Sequence, residues 1–163
     1  MVSFYEIVWS WIGGFFGIGA VAYINFHFFE KTDLEMIIGS FGASAVLIYG
    51  AIKSPLAQPR NLVGGHIISA LVGVTSYQFL HSHMWLASAV AVATAIVAMH
   101  ATRTLHPPGG ATSLIAVIGS EKIHNLGYLY VIMPAFLGAL VMLVVALVVN
   151  NLAKKRQYPE FWI

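Results

Sequence analysis

The sequence predicts an all-α polytopic membrane protein of about six membrane segments, arranged as two inverted repeats with broken half-helices. Three observations carry that expectation. Charged residues make up 9% of the chain and apolar residues 59%, with a mean hydropathy of +0.82, whereas a soluble domain carries about 25% charged residues. The apolar residues fall in runs long enough to cross a bilayer, which takes about 20 residues of helix. Between two such runs lies Leu105-His106-Pro107-Pro108-Gly109-Gly110-Ala111-Thr112, poor material for a continuous membrane helix because proline lacks an N–H and glycine weakens a helix. A break at membrane depth is tolerated only where it is buried in protein or lines a polar cavity.

The segments follow in order. Tyr5–Phe29 is a long aromatic span with Trp9 and Trp11 near one end, where interfacial aromatics belong, and with a Gly13/Gly17 spacing that lets another helix approach. It is read as a retained membrane helix, since no basic n-region of a leader precedes it. After the linker Glu30–Glu35 comes a second span, Met36–Ile52, interrupted at Gly39–Ser44. The loop Lys53–Asn61 holds Pro55 and Pro59, and Leu62–Leu80 is the third span. His81–Trp85 makes a turn, and Leu86–Thr104 is an alanine-rich fourth span. Pro107–Gly119 reads as a half-helix, because prolines suit a helix's first turn. Ser120–Leu126 is a loop and Tyr128–Leu152 the last span. The whole is a single transmembrane domain over 1–163, with one repeat at about 5–80, the second at about 86–152 and a tail at 153–163.

Charge sets the orientation. Lys53, Arg60, Arg103, Lys154, Lys155 and Arg156 fall on one side if Pro107–Gly119 crosses, and Glu30, Asp33 and Glu35 fall on the other. The positive-inside rule then makes the tail and the Lys53–Asn61 loop cytoplasmic. Four spans plus re-entrant segments is the rival topology. An internal similarity favours six: Gly42-Ala43-Ser44-Ala45-Val46-Leu47-Ile48 matches Gly110-Ala111-Thr112-Ser113-Leu114-Ile115-Ala116, and each is followed by an Asn-Leu pair, Asn61-Leu62 and Asn125-Leu126. Inverted repeats with matching breaks point to a transport site near the midplane, although small residues serve helix packing equally well.

The breaks define the candidate site. A helix N-terminus carries roughly half a positive charge and unpaired N–H donors, so two such ends suit a small monovalent anion. On this reading Pro107, Pro108, Gly109, Gly110 and Ala111 on one side, and Gly42 and Ala43 on the other, present backbone to the anion, while Ser40, Ser44, Thr112 and Ser113 add hydroxyls. His106 hydrogen-bonds the anion, gates its passage or carries a coupled proton. Arg60 and Asn61 stand at the cytoplasmic mouth, and His66, behind Gly64-Gly65, is an intramembrane polar residue of the kind that marks function; a plain backbone hydrogen bond is its competing role.

Other chemistry lacks its residues. There is no cysteine, hence no disulfide, iron–sulfur or thiol chemistry. Histidines 81, 83, 100 and 106 have neither an HExxH pattern nor an intramembrane carboxylate to complete a metal set. No nucleophile triad is visible. The chain is therefore expected to be no enzyme, with no catalytic residue, metal or cofactor, and a net charge of +2 gives nucleic-acid binding no support. Its expected partners are the bilayer, a small inorganic anion and further copies of itself, through the Gly13/Gly17 face or the alanine-rich fourth span.

The runs SPLAQPRNLVGGH at 54–66, LHPPGGATSLIAVIG at 105–119 and GSFGASAVLIYG at 39–50 together resemble the HPP family of small integral membrane proteins, named for its His-Pro-Pro motif. The resemblance covers roughly 34–150, and its motif positions here are Arg60, Asn61, Gly64, Gly65, His66, His106, Pro107, Pro108, Gly110, Ala111 and Thr112. It implies anion transport, with nitrite the favoured substrate, in a cyanobacterial-type plasma membrane or a plastid-type inner membrane. Descriptions of the family count four spans, and some bacterial members carry an added regulatory domain. A passive anion channel and a non-transporting assembly or sensing subunit are the alternatives.

Overall fold

The computed structural model describes residues 2–162, which are helical apart from turns and short extended connections. Four helices are long and apolar enough to cross a membrane: α1 (Phe4–Phe29), α3 (Pro59–Leu80), α4 (Met84–Ala101) and α7 (Val131–Leu152). Two short apolar helices, α2 (Ser40–Gly50) and α5 (Pro107–Ile118), lie among them, and α6 (Glu121–Leu126) is a single amphipathic turn and a half. The polytopic all-α expectation holds. At 1.5 Å per residue α5 is about 18 Å long, too short to cross the roughly 30 Å hydrocarbon core as helix alone.

Local chemistry explains the boundaries. Ser3 caps α1 by accepting from the Glu6 N–H, and the last turn, Asn25–Phe29, widens to a π turn. There the buried Asn25 side chain accepts from the Met36 amide at 2.8 Å. That bond holds the connection extended, so the second segment becomes helical only at Ser40 rather than at Met36. Pro59 opens α3 in the first turn, three residues before the expected start. α4 starts at Met84, inside the expected turn, and ends at Ala101, where Arg103 adopts a positive φ of 56°. The segment expected as a loop at Ser120–Leu126 is the helix α6. α7 starts at Val131 rather than Tyr128, and it kinks where Met133 leaves helical geometry before Pro134, whose missing N–H breaks the ladder.

Several of the cations share one end. Lys53, Lys155 and Arg156 line one cavity there together with Ser3 and Glu6, and the Arg60 guanidinium reaches the Thr102 carbonyl. Glu35 approaches Lys122 at 3.8 Å, joining the linker before α2 to the start of α6. Both described ends of the chain meet at the cationic end, where Val2 and Ser3 line the same cavity as Lys155 and Arg156.

Two expected self-association faces are used inside the molecule. A Cβ at Gly13 would sit 2.6 Å from the Tyr49 ring, and one at Gly17 would overlap the same ring. These glycines seat α2 against α1, and the Tyr49 hydroxyl donates to the Met142 carbonyl of α7 at 3.0 Å. On α4, Ala87, Ala91 and Ala95 are fully buried, four residues apart on the stripe that packs against α3 and α5. The exposed aromatics Trp11, Phe15, Phe16 and Tyr23 cover the outside of α1, as a lipid-facing helix requires.

Candidate functional site

Five buried polar side chains from α2, α3 and the start of α5 form one connected group. His106 is the residue before Pro107 and its backbone is extended. Asn61 holds it in place by donating to the Leu105 carbonyl at 2.8 Å. The imidazole fits against α3 only because residue 65 is glycine: a Cβ there would lie 2.5 Å from His106 Cβ and 3.0 Å from the Thr104 carbonyl. One turn on, Gly109 is similarly required, since a Cβ would fall 2.7 Å from Ser69 Oγ and 2.9 Å from the Gly65 carbonyl. The Gly-Gly-His run of α3 and the His-Pro-Pro-Gly run of α5 are thus two sides of one close contact.

The two imidazoles stand 5.1 Å apart, centroid to centroid, at 62°. Ser44 Oγ lies between them, 2.8 Å from His66 Nε2 and 2.8 Å from His106 Nε2. On its other nitrogen, His106 Nδ1 donates to the Leu56 carbonyl at 2.8 Å. On its other nitrogen, His66 Nδ1 meets Thr112 Oγ1 at 2.7 Å. Thr112 Oγ1 also lies 2.9 Å from Ser40 Oγ and 3.2 Å from the Pro108 carbonyl. Phe41 closes the group with its ring at 72° to the His66 imidazole, and the Tyr130 hydroxyl donates to the Thr112 carbonyl at 3.0 Å. His66, His106, Ser44 and Thr112 are wholly inaccessible and Ser40 is 1% exposed. His66 lies seven residues beyond Pro59, about 10 Å along α3 from the cationic end.

Not every expected site residue joins this group. Gly42 and Ala43 face outward from α2, Pro107 is exposed, and Gly110 and Ala111 are only half-buried. Ser113 turns back to the Gly110 carbonyl at 2.9 Å. Arg60 is committed to the Thr102 carbonyl, and Arg60 and Asn61 together pin the loop that presents His106. The geometry of the helix ends also differs from the expected head-to-head pair. Ser44 meets His106 while Ser40 meets Thr112, so α2 and α5 lie side by side in opposite directions. Pro107 and Pro108 have no N–H, and the Gly109 amide is spent on the His106 carbonyl at 2.7 Å. Side-chain hydroxyls and imidazoles, rather than backbone amides, are therefore the donors this site presents.

Three contributors escape motif reading. The Leu56 carbonyl is a backbone atom with no sequence signal, and Phe41 is one aromatic among many. Tyr130 had a signal: aligning Asn61-Leu62 with Asn125-Leu126 places His66 opposite Tyr130. The loop that supplies Leu56 is itself braced. Gln58 donates to the Ile52 and Ser54 carbonyls at 3.0 and 2.8 Å. From the C-terminal tail, the Tyr158 hydroxyl donates to the Ala57 carbonyl at 2.7 Å and the Glu160 amide to Gln58 Oε1 at 2.9 Å.

The chain is similar to two transmembrane proteins of Dictyostelium discoideum, at 49% identity and 46% identity over 160 residues, or 96% of this chain in each case. It covers 51% and 56% of their lengths, so it spans about half of the curated relatives it matches. No solved structure matches it. The family model described as HPP, transmembrane region, matches residues 1–159, taking in both runs whose glycines and histidines close on each other at Ser44. This chain belongs to the HPP transmembrane family.

Proposed function

We propose that this protein carries a small monovalent inorganic anion across its membrane, with nitrite the favoured substrate, through the overlap of α2 and α5. The observation that carries the reading is the buried Ser40–Thr112–His66–Ser44–His106 group. Polar side chains inside a membrane domain are costly and mark function by default, and five from three helices meet here. Packing alone needs the glycines and not the imidazoles. Hydroxyl and imidazole N–H donors can replace part of an anion's hydration without binding it so firmly that it cannot leave. Lys53, Arg60, Arg103 and Lys155 at one end raise the local anion concentration, and the positive-inside rule makes that end cytoplasmic. Membership of the HPP family supports the choice of nitrite, through the association of related chains with nitrite movement. The conformation described is closed, since none of the five side chains is more than 1% exposed.

Nitrite uptake into proteoliposomes, corrected for protein-free vesicles, tests the reading. Saturable uptake by the wild type that falls at least tenfold in His106→Ala, with the variant still folded, is the expected result. Uptake no greater than that of empty vesicles would overturn it.

A further inference from the structure

We propose that His66, Ser44 and His106 form a one-proton relay through the membrane domain, running between Thr112 and the Leu56 carbonyl. The inference deepens the proposed transport by naming a proton as the second species at the same site, and rests on that reading only for the coupling to the anion.

Proton counting fixes the direction. A carbonyl only accepts, so His106 Nδ1 carries the hydrogen that bonds Leu56 at 2.8 Å. A neutral imidazole has one N–H, which leaves His106 Nε2 as an acceptor. Ser44 has one hydroxyl hydrogen and must give it to His106 Nε2. Ser44 Oγ can then only accept from His66, so His66 carries its hydrogen on Nε2. His66 Nδ1 is bare and accepts from Thr112 at 2.7 Å. With both rings neutral, one arrangement satisfies these four contacts and puts the two histidines in opposite tautomers. Thr112, its one hydrogen given to His66, then accepts from Ser40 and gives up the Pro108 carbonyl.

An added proton is accommodated without breaking a contact. Water reaching Ser40 when that side opens gives Ser40 Oγ a proton, and Ser40 passes its own to Thr112 Oγ1 at 2.9 Å. Thr112 passes its own to His66 Nδ1 at 2.7 Å, ending with its new hydrogen turned to Ser40. The His66 Nε2 proton then passes to Ser44 Oγ as the Ser44 proton passes to His106 Nε2. Charge moves from one imidazole to the other and Ser44 ends as a hydroxyl again. His106 releases its Nδ1 proton to water when the Leu56 loop opens, and one proton has crossed with atoms and charge balanced. Reset requires the rings and hydroxyls to reorient, which the Leu56 carbonyl favours because it repels a bare Nδ1. The groups packed around the relay do not compete for the proton. From α2 they are Ser40 and Phe41, from α4 the Met99 thioether near Ser69, and from the α7 side Tyr130, whose hydroxyl is bonded to the Thr112 carbonyl. Arg60, at the start of α3, is turned to Thr102.

Proteoliposomes holding a pH-sensitive dye, with potassium and valinomycin to balance charge, read the relay directly. Nitrite uptake is assayed in the same vesicles, and protein-free vesicles correct for permeant nitrous acid. The wild type and Ser44→Thr should acidify the lumen after an external acid step, with or without nitrite, and Ser44→Ala should be at least tenfold slower. Proton movement in Ser44→Ala at the wild-type rate, or none in the wild type under either condition, would overturn the relay. Nitrite uptake without proton movement would overturn the relay and keep the transport reading; the reverse would keep the relay and remove nitrite. Nitrogen NMR of histidine-labelled protein is the second measurement and needs no variant at Ser44. His66 protonated on Nε2 and His106 on Nδ1, assigned with His66→Gln and His106→Gln, is expected. Finding both rings in the same tautomer would overturn the assignment.

Discussion

Ser44 and Thr112 bond opposite nitrogens of one imidazole, Ser44 Oγ at 2.8 Å from His66 Nε2 and Thr112 Oγ1 at 2.7 Å from Nδ1. These are the two hydroxyls that the internal sequence similarity places in register, one on each short helix. Their convergence on a single side chain of α3 explains why α2 and α5 overlap side by side. Each short helix is too brief to hold its place by length, and His66 ties both to a long one.

Removing the Ser44 hydroxyl leaves two Nε2 atoms facing each other without a mediator. A buried group stripped of its partner costs about 1–3 kcal/mol, so Ser44→Ala should lower the melting temperature in detergent while Ser44→Thr should not lower it comparably. A thermal unfolding series on purified variants checks this.

Close contact at Gly65 makes that position intolerant. Gly65→Ala forces a methyl against His106 Cβ and the Thr104 carbonyl, and overpacking costs typically about 1–3 kcal/mol. Nothing lies within 4 Å of a Cβ at Gly14 or Gly110, and alanine there should hold or raise stability through its higher helix propensity. The contrast is readable from the yield of monodisperse protein and its melting temperature. A Gly65→Ala variant as stable as the wild type would contradict the close packing of α3 on His106.

Arg156 ties the tail to the first helix. Its side chain is 1% exposed, pairs with Glu6 at 2.9 Å and also donates to Asn150 Oδ1 at 2.9 Å and Ser10 Oγ at 2.8 Å. Hydrogen bonds to a charged group are worth about 1.5–3 kcal/mol each. Arg156→Ala should therefore release the tail, and protease cleavage after Lys154 or Lys155 should quicken. Since the same tail braces the Leu56 loop, the His106 Nδ1 resonance should shift as well.

The Glu35–Lys122 pair at the opposite end should matter little. It is 3.8 Å long and both side chains are solvent-accessible, and such pairs contribute about 0–1 kcal/mol. Glu35→Gln is expected to leave the melting temperature within error, and a drop comparable to Arg156→Ala would show that the connection depends on it.

The sequence by itself determined the membrane class, the all-helical character, most of the long helices and the two glycine–histidine runs as breaks in the apolar pattern. These are legible because they depend on composition, on hydropathy over a span and on proline and glycine, all local properties. Only the tertiary structure decided what the runs do to each other. Gly65 matters through the bulk of His106, 41 positions later in the same chain, and Ser44 through two imidazoles from other segments. The Gly13/Gly17 spacing read as a docking face because motif spacing cannot say which neighbour fills it; Tyr49 does. Likewise the start of α5 read as an anion-binding helix end, because the sequence does not show that its first available amide is already bonded to the His106 carbonyl. Hydrogen-bond partners are set by long-range packing, and one buried proton can satisfy only one of them. The direction of the chain of bonds at Ser44 therefore emerges only when every donor and acceptor has its place.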